Sequence, residues 1–211
     1  MHDAFVQDLI GKGVLYTDSI IAAFEKVRRI DFVHEELYDQ AYEDAPLPLG
    51  YNQTISQPST VAIMLEHLRV QPGERVLEVG CGSGWLTGLL AELVGASGYV
   101  YAIDIMPEMI DLTKEHLRHY HFANIDVHCA DGWHGVPEHA PYNRIVVSAA
   151  AHLVPPALLE QLARGGILVM PVGDDRQDLV VLTKDSDGAI RKESQPGFQF
   201  VPLMSKHLPS P

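Results

Sequence analysis

The chain has 211 residues, 46% of them hydrophobic, and a net charge of −13 from 15 basic and 28 acidic side chains. That length supports one folded unit with a substantial core, and the negative balance opposes a nucleic-acid partner, whose binding draws on Lys/Arg–phosphate contacts. No apolar run reaches the ~20 residues of a membrane helix, Met1-His2-Asp3-Ala4-Phe5 opens no basic or long apolar leader, and Cys81 and Cys129 do not form a disulfide framework, so a cytoplasmic protein without membrane contact is expected.

Residues 3–11, 18–28 and 33–40 read as short amphipathic helices, with Phe5, Leu9, Ile20, Ala23, Phe24 and Val27 at helical spacings. Residues 42–58 hold Pro46, Pro48, Gly50 and Pro58 and read as a connection with little regular structure, of a length often tied to function. Residues 59–70 return to a helix, with Val61, Met64, Leu65 and Leu68 on one face. From Gln71 onward strands and helices alternate. The spacing predicts strands at 75–79, 99–103, 125–128, 144–148, 166–171 and 178–183, and helices at 85–94, 107–119 and 155–163. Asp185-Ser186-Asp187-Gly188 is a hairpin signal, and Phe198–Leu203 reads as a last strand. The whole predicts an α/β fold of the Rossmann-like, doubly wound kind. Its seven-stranded sheet is mostly parallel with helices on both faces, capped by the N-terminal helices and closed by antiparallel C-terminal strands.

The most informative stretch is Arg75-Val76-Leu77-Glu78-Val79-Gly80-Cys81-Gly82-Ser83-Gly84-Trp85, a strand, a glycine turn and a helix start. Glycine lets the backbone approach a small ligand because no Cβ intervenes. The glycines run G-x-G-x-G, so the third falls one position early for the dinucleotide fingerprint, and no Gly-Lys-Ser/Thr follows for a P-loop. Glu78 stands where a phosphate would be repelled and a cation welcomed, as on the amino group and sulfonium of S-adenosylmethionine. Asp104, followed by Ile105, ends the second strand twenty residues after Gly84 and suits a ribose diol. Asp131-Gly132 after the third strand and Ser148 after the fourth bring further polar groups to the carboxyl ends of the sheet, where ligands bind. Asp131 suits the exocyclic amine of an adenine. The cluster His116-Leu117-Arg118-His119-Tyr120-His121 lacks Cys or carboxylate partners at ligand spacing and reads as a solvated helix end, with no metal expected.

These motifs resemble the class I S-adenosylmethionine methyltransferases. Outside them, the chain resembles the protein-L-isoaspartate (D-aspartate) O-methyltransferases over residues 5–204, through Tyr42–Gly50 with Gln53-Thr54-Ile55-Ser56-Gln57-Pro58. Val147–Ala151 with Val154-Pro155-Pro156, Met170–Gly173, Phe200–Leu203 and Arg29 with Phe32-Val33 carry the same resemblance. The resemblance implies methyl transfer from S-adenosylmethionine, giving S-adenosylhomocysteine, to the free α-carboxylate of L-isoaspartyl residues in damaged proteins and peptides. The ester then collapses through a succinimide, which hydrolyses partly to aspartate. It implies that Ser56 is the active-site serine. Gln53, Thr54, Ile55 and Ser56, with Glu78, Gly80, Cys81, Gly82, Ser83, Gly84, Asp104, Ile105, Asp131, Gly132 and Ser148, are then expected to hold the cofactor. Ile55, Ser56, Val201, Pro202 and Leu203 are expected to meet the substrate, the last three as edge-strand backbone pairing with a peptide.

A single domain is expected, with residues 1–58 as helical cap and substrate loop, 59–185 as cofactor core and 186–211 as C-terminal strand and tail, acting as a monomer. Asn52, His152 and Met204 depart from the family pattern at positions expected near the peptide cleft. The alternatives are a carboxyl methyltransferase for a dedicated peptide and a noncatalytic binding module of the same fold.

Overall fold

The hydrophobic pattern of the second half forces alternation between two layers, and the structure, a computed structural model that describes residues 2–205, follows it. Met1 and residues 206–211, the end of the expected C-terminal tail, lie outside the described residues. In chain order come α1 (His2–Gly11), α2 (Asp18–Lys26), β1 (Leu47–Gly50), β2 (Gln53–Ile55), α3 (Pro58–Leu68), β3 (Arg75–Val79), α4 (Trp85–Val94) and β4 (Tyr99–Asp104). Then follow α5 (Pro107–Leu117), β5 (Ile125–Cys129), β6 (Tyr142–Val147), α6 (Pro156–Gln161), β7 (Leu162–Gly173), β8 (Gln177–Lys184) and β9 (Ile190–Phe198). Three of the helices begin at a proline, Pro58, Pro107 and Pro156, where the missing N–H has no helical partner to lose.

β1 and β2 form a hairpin, and β3–β9 form one seven-stranded sheet in the order β5-β4-β3-β6-β7-β8-β9. The strands from β5 to β7 pair in parallel and β8 and β9 join antiparallel. Successive side chains on a strand point to opposite faces. Val76, Ala102, Val146 and Val169 therefore enter one apolar layer with α3, α4, α5 and the N-terminal helices, while Leu77, Ile103, Val147 and Met170 enter the other with Leu158 of α6. Coverage on both faces explains why β3 is buried without a break from Val76 to Val79 and β6 from Arg144 to Val147. The N-terminal cap is docked by polar contacts as well. Glu66 of α3 accepts from the Tyr16 and Thr17 amides at 2.8 and 2.9 Å and from the Thr17 hydroxyl, closing the open start of α2.

Four expectations are corrected. Residues 33–40 are not an α-helix: Arg29–Phe32 and Glu35–Gln40 form 3-10 turns, and the second buries no residue, so no apolar face holds a longer helix. The 42–58 connection contains the β1–β2 hairpin. Helix 155–163 stops at Gln161, and β7 starts at Leu162 rather than 166 because Leu162 pairs with Tyr142 ahead of a register shift. The last strand is Ile190–Phe198, not 198–203. The 185–188 turn sets Lys184 opposite Ile190, and the strand's polar sequence, exposed along nearly its whole length, hid it.

Candidate active site

The order of the sheet reverses at β3, so its carboxyl end opens between the segments that leave β4 and β6. There the Gly80–Gly84 turn is built from left-handed residues: Gly80, Gly82 and Gly84 have φ of 83°, 52° and 84°. A Cβ on Gly84 would lie 3.0 Å from the Thr113 methyl, so this glycine is needed for the contact of the turn with α5. The turn is tied down from β4 and α5. Gly80 N–H donates to Ile103 C=O at 2.8 Å, Thr113 hydroxyl to Gly82 C=O at 2.9 Å, and His116 Nδ1 lies 2.8 Å from Ser83 C=O. His116 thus belongs to the scaffold of the turn rather than to a solvated helix end, and Tyr120 likewise donates to Asp31 at 2.6 Å.

Above the turn lies a cavity of about 800 Å³ including its mouth. It brings together Gln53, Thr54, Ile55 and Ser56 from β2 and the following loop, Glu78, Gly80, Cys81, Gly82 and Ser83 from β3 and the turn, and Asp104 and Ile105 after β4. Gly132, Ser148, Val201, Pro202 and Leu203 complete the expected set within it. Two expected residues are not in the lining. Gly84 serves the helix contact just described. Asp131 accepts from Trp133 N–H at 3.0 Å and from the Ser205 hydroxyl at 2.8 Å, stabilising the turn that presents Gly132. The lining also includes Val61, Val79, Trp85, Leu86, Ile103, Ala149 and Met204. These apolar residues belong to core-forming patterns, and only their place at the strand ends marks them.

Among the described residues, the only ionisable side chains of Asp, Glu, Lys, Arg or His in the lining are two acids, Glu78 and Asp104. Glu78 is fully buried, and among the described residues neither carboxylate oxygen has a hydrogen-bond partner. Burial pushes its pKa up to about 8; the Thr87 hydroxyl tempers the shift without reaching hydrogen-bond geometry, and the Asp104 charge adds to it. Asp104 is better supported. Its oxygens accept from Met106 N–H at 3.1 Å and Gly82 N–H at 3.2 Å, and burial raises its pKa against the pull of these amides. An orphaned buried carboxylate at the floor of a cavity is costly unless a cation or donor meets it. That chemistry fits the ammonium of S-adenosylmethionine.

On the far wall, the 198–203 segment is not an edge strand. Ala150 N–H donates to Val201 C=O at 2.8 Å and Leu203 N–H to Ala150 C=O at 2.7 Å, in one bridge of Ala150 with Pro202. Val201 C=O and Leu203 N–H are thus engaged within the chain, and Pro202 has no N–H to offer. Asn52 lies outside the lining, at the hairpin tip with φ 57°, a conformation open to glycine and asparagine alike. His152 stacks on Trp133 with ring centroids 5.9 Å apart, and Met204 lines the cavity with 40% exposure.

The sequence profile described as protein-L-isoaspartate(D-aspartate) O-methyltransferase matches residues 1–208. A protein-L-isoaspartate O-methyltransferase of Methanococcoides burtonii is 45% identical over 188 residues, 89% of this chain and 93% of that one. Its counterpart in Aeropyrum pernix is 44% identical over 204 residues, 96% of this chain and 78% of that one. A Plasmodium falciparum chain solved with S-adenosyl-L-homocysteine superposes with a TM-score of 0.87 at 25% identity, covering 96% of this chain and 98% of that one. The chain belongs to the protein-L-isoaspartate(D-aspartate) O-methyltransferase family.

Proposed function

We propose that this methyltransferase esterifies the free α-carboxylate of L-isoaspartyl residues in damaged proteins and peptides, and that the cavity above the glycine turn is where it does so. The observation that carries the site assignment is Glu78, buried with both oxygens unpartnered among the described residues, in a cavity that Ser56 also lines. Glu78 meets the cofactor's ammonium, Asp104 accepts from the ribose hydroxyls, and the glycine turn admits the chain close to it. Asp131 supports this wall by holding the turn at Gly132.

When bound, S-adenosylmethionine supplies an electrophilic methyl group on a sulfonium. The substrate carboxylate, with an ordinary pKa near 4, is ionised at neutral pH, so no general base is required. What the chain must do is fix one carboxylate oxygen in line and remove its water. Ser56 suits that task. Among the described residues its hydroxyl has no partner, so it is free to donate to the substrate, and no basic side chain in the lining competes for the carboxylate. Val201, Pro202 and Leu203 form the wall against which the peptide lies. The ester later closes to a succinimide with loss of methanol, and its hydrolysis returns part of the material as aspartate.

Ser56→Ala tests the assignment. It should lower kcat by about 10- to 100-fold, the scale of a lost hydrogen bond to a charged group, with cofactor affinity nearly unchanged in a calorimetric titration. Unchanged turnover would remove Ser56 from the mechanism.

A further inference from the structure

Arg29 has a burden that the reaction so far does not explain. Its side chain is fully buried, yet no ion pair joins it to a carboxylate among the described residues. Instead its two terminal nitrogens donate to four main-chain carbonyls. Nη1 reaches Ala41 at 2.7 Å and Glu43 at 3.3 Å, and Nη2 reaches Ala45 at 2.8 Å and Ser56 at 3.2 Å. The guanidinium carbon sits 5.5 Å from the centre of the Trp85 ring, whose own N–H donates to Val27 C=O at 3.1 Å. One side chain of the N-terminal cap therefore touches the loop that carries Ser56 and the first residue of the helix after the glycine turn.

A second anchor lies next to it. Asp44 stands between the acceptors Glu43 and Ala45 in sequence. Its carboxylate accepts from the Ser59 amide at 2.9 Å, from the Ser59 hydroxyl, and from Lys12 at 2.9 Å. The chain is thus gripped at Ser56 by Arg29 and three residues later by Asp44. Burying an uncompensated charge is costly, and an apolar residue of similar size often serves stability as well or better. Only a planar fork with separated donors spans carbonyls from both the 41–45 segment and Ser56; a lysine ammonium offers three donors from a single point. Burial lowers the Arg29 pKa to about 10, so the donors remain charged at neutral pH.

We propose that Arg29 is a positioning residue for methyl transfer, fixing the Ser56 main chain and through it the direction of the Ser56 hydroxyl, with Asp44 holding the other end of the same loop. This rests on the reading of Ser56 given above. Misplacement of a group by about 1 Å costs on the order of 100-fold in rate, so a loosened clamp should appear in kcat before it appears in cofactor binding.

The test is a cycle of Arg29→Lys, Ser56→Ala and the double variant in the full-length protein. For each, kcat toward an isoaspartyl peptide, cofactor affinity by titration and melting temperature are measured. Arg29→Lys should lower kcat by about 10- to 100-fold while leaving cofactor affinity near that of the unaltered protein. In the Ser56→Ala background the same change should cost no more than about threefold, because residues that act through one group are not additive. Losses that multiply in full, or an Arg29→Lys protein with unchanged kcat, would overturn the proposal. A Ser56→Ala protein with full kcat would overturn the serine assignment itself, which is a distinguishable failure. Should Arg29→Lys not fold, the cycle is run with Ser59→Ala, which loosens the other anchor and keeps the backbone bond to Asp44. Non-additivity with Ser56→Ala is again expected, and multiplied losses overturn the clamp.

Discussion

Glu78 sets the pH behaviour of the site. Its pKa is raised from 4.5 to about 8 by burial. Between those values the folded state holds a proton that the unfolded state releases, so stability declines as pH rises through this window and levels off above it. Glu78→Gln should flatten that decline in the free protein, read from melting temperatures between pH 5 and 8. A cation against Glu78 favours the ionised form, so cofactor binding near pH 7 should release protons. Titrations in two buffers of different ionisation enthalpy would show this release and its loss in Glu78→Gln; release retained in the variant would remove Glu78 from the cofactor site. Asp104→Ala should weaken cofactor binding by about 1–3 kcal/mol, the scale of a lost charged hydrogen bond. Asn52 illustrates a residue whose identity answers to the backbone: at φ 57° it does what glycine does, so Asn52→Gly should leave peptide preference unaltered in competition assays.

At the scale of elements, the glycine turn works because α5 is pressed against it. Gly84→Ala places a Cβ in a left-handed position and against Thr113, and should lower stability by about 2 kcal/mol while leaving the cofactor contacts intact. Thermal melts alongside cofactor titration would check this, and an unaffected melting temperature would contradict it. The same level shows where the sequence was readable. β3 and α4 announce themselves through a β-branched run, three glycines and an apolar helix, and their observed limits are those expected. β9 was placed too late because its residues, Ile190-Arg191-Lys192-Glu193-Ser194-Gln195, are exposed and charged as an edge strand requires, and so carry no burial signal. Residues 35–40 carried enough apolar residues to suggest a helix, but none of them is buried and only Leu37 is seen to pack, partly buried, against the core.

At the scale of the molecule, the site is a meeting of three distant pieces: the loop before α3, the carboxyl ends of β3, β4 and β6, and the 201–204 wall. The strand-end acids were legible because chemistry and spacing coincide there. Asp131 was less legible, since a carboxylate that caps its own turn and one that reads a ligand look alike in sequence. The Arg29 clamp was legible only as part of a family pattern, because a sequence shows no carbonyl acceptors. The alternative of a noncatalytic module predicts binding without turnover, and that of a dedicated substrate predicts rejection of generic peptides. The measurement that tests the account most directly is methyl transfer from labelled S-adenosylmethionine to two peptides that differ only in isoaspartate against aspartate. Base-labile methylation of the isoaspartyl peptide alone is the predicted result. Equal methylation of both, or of neither while the cofactor binds, would contradict it.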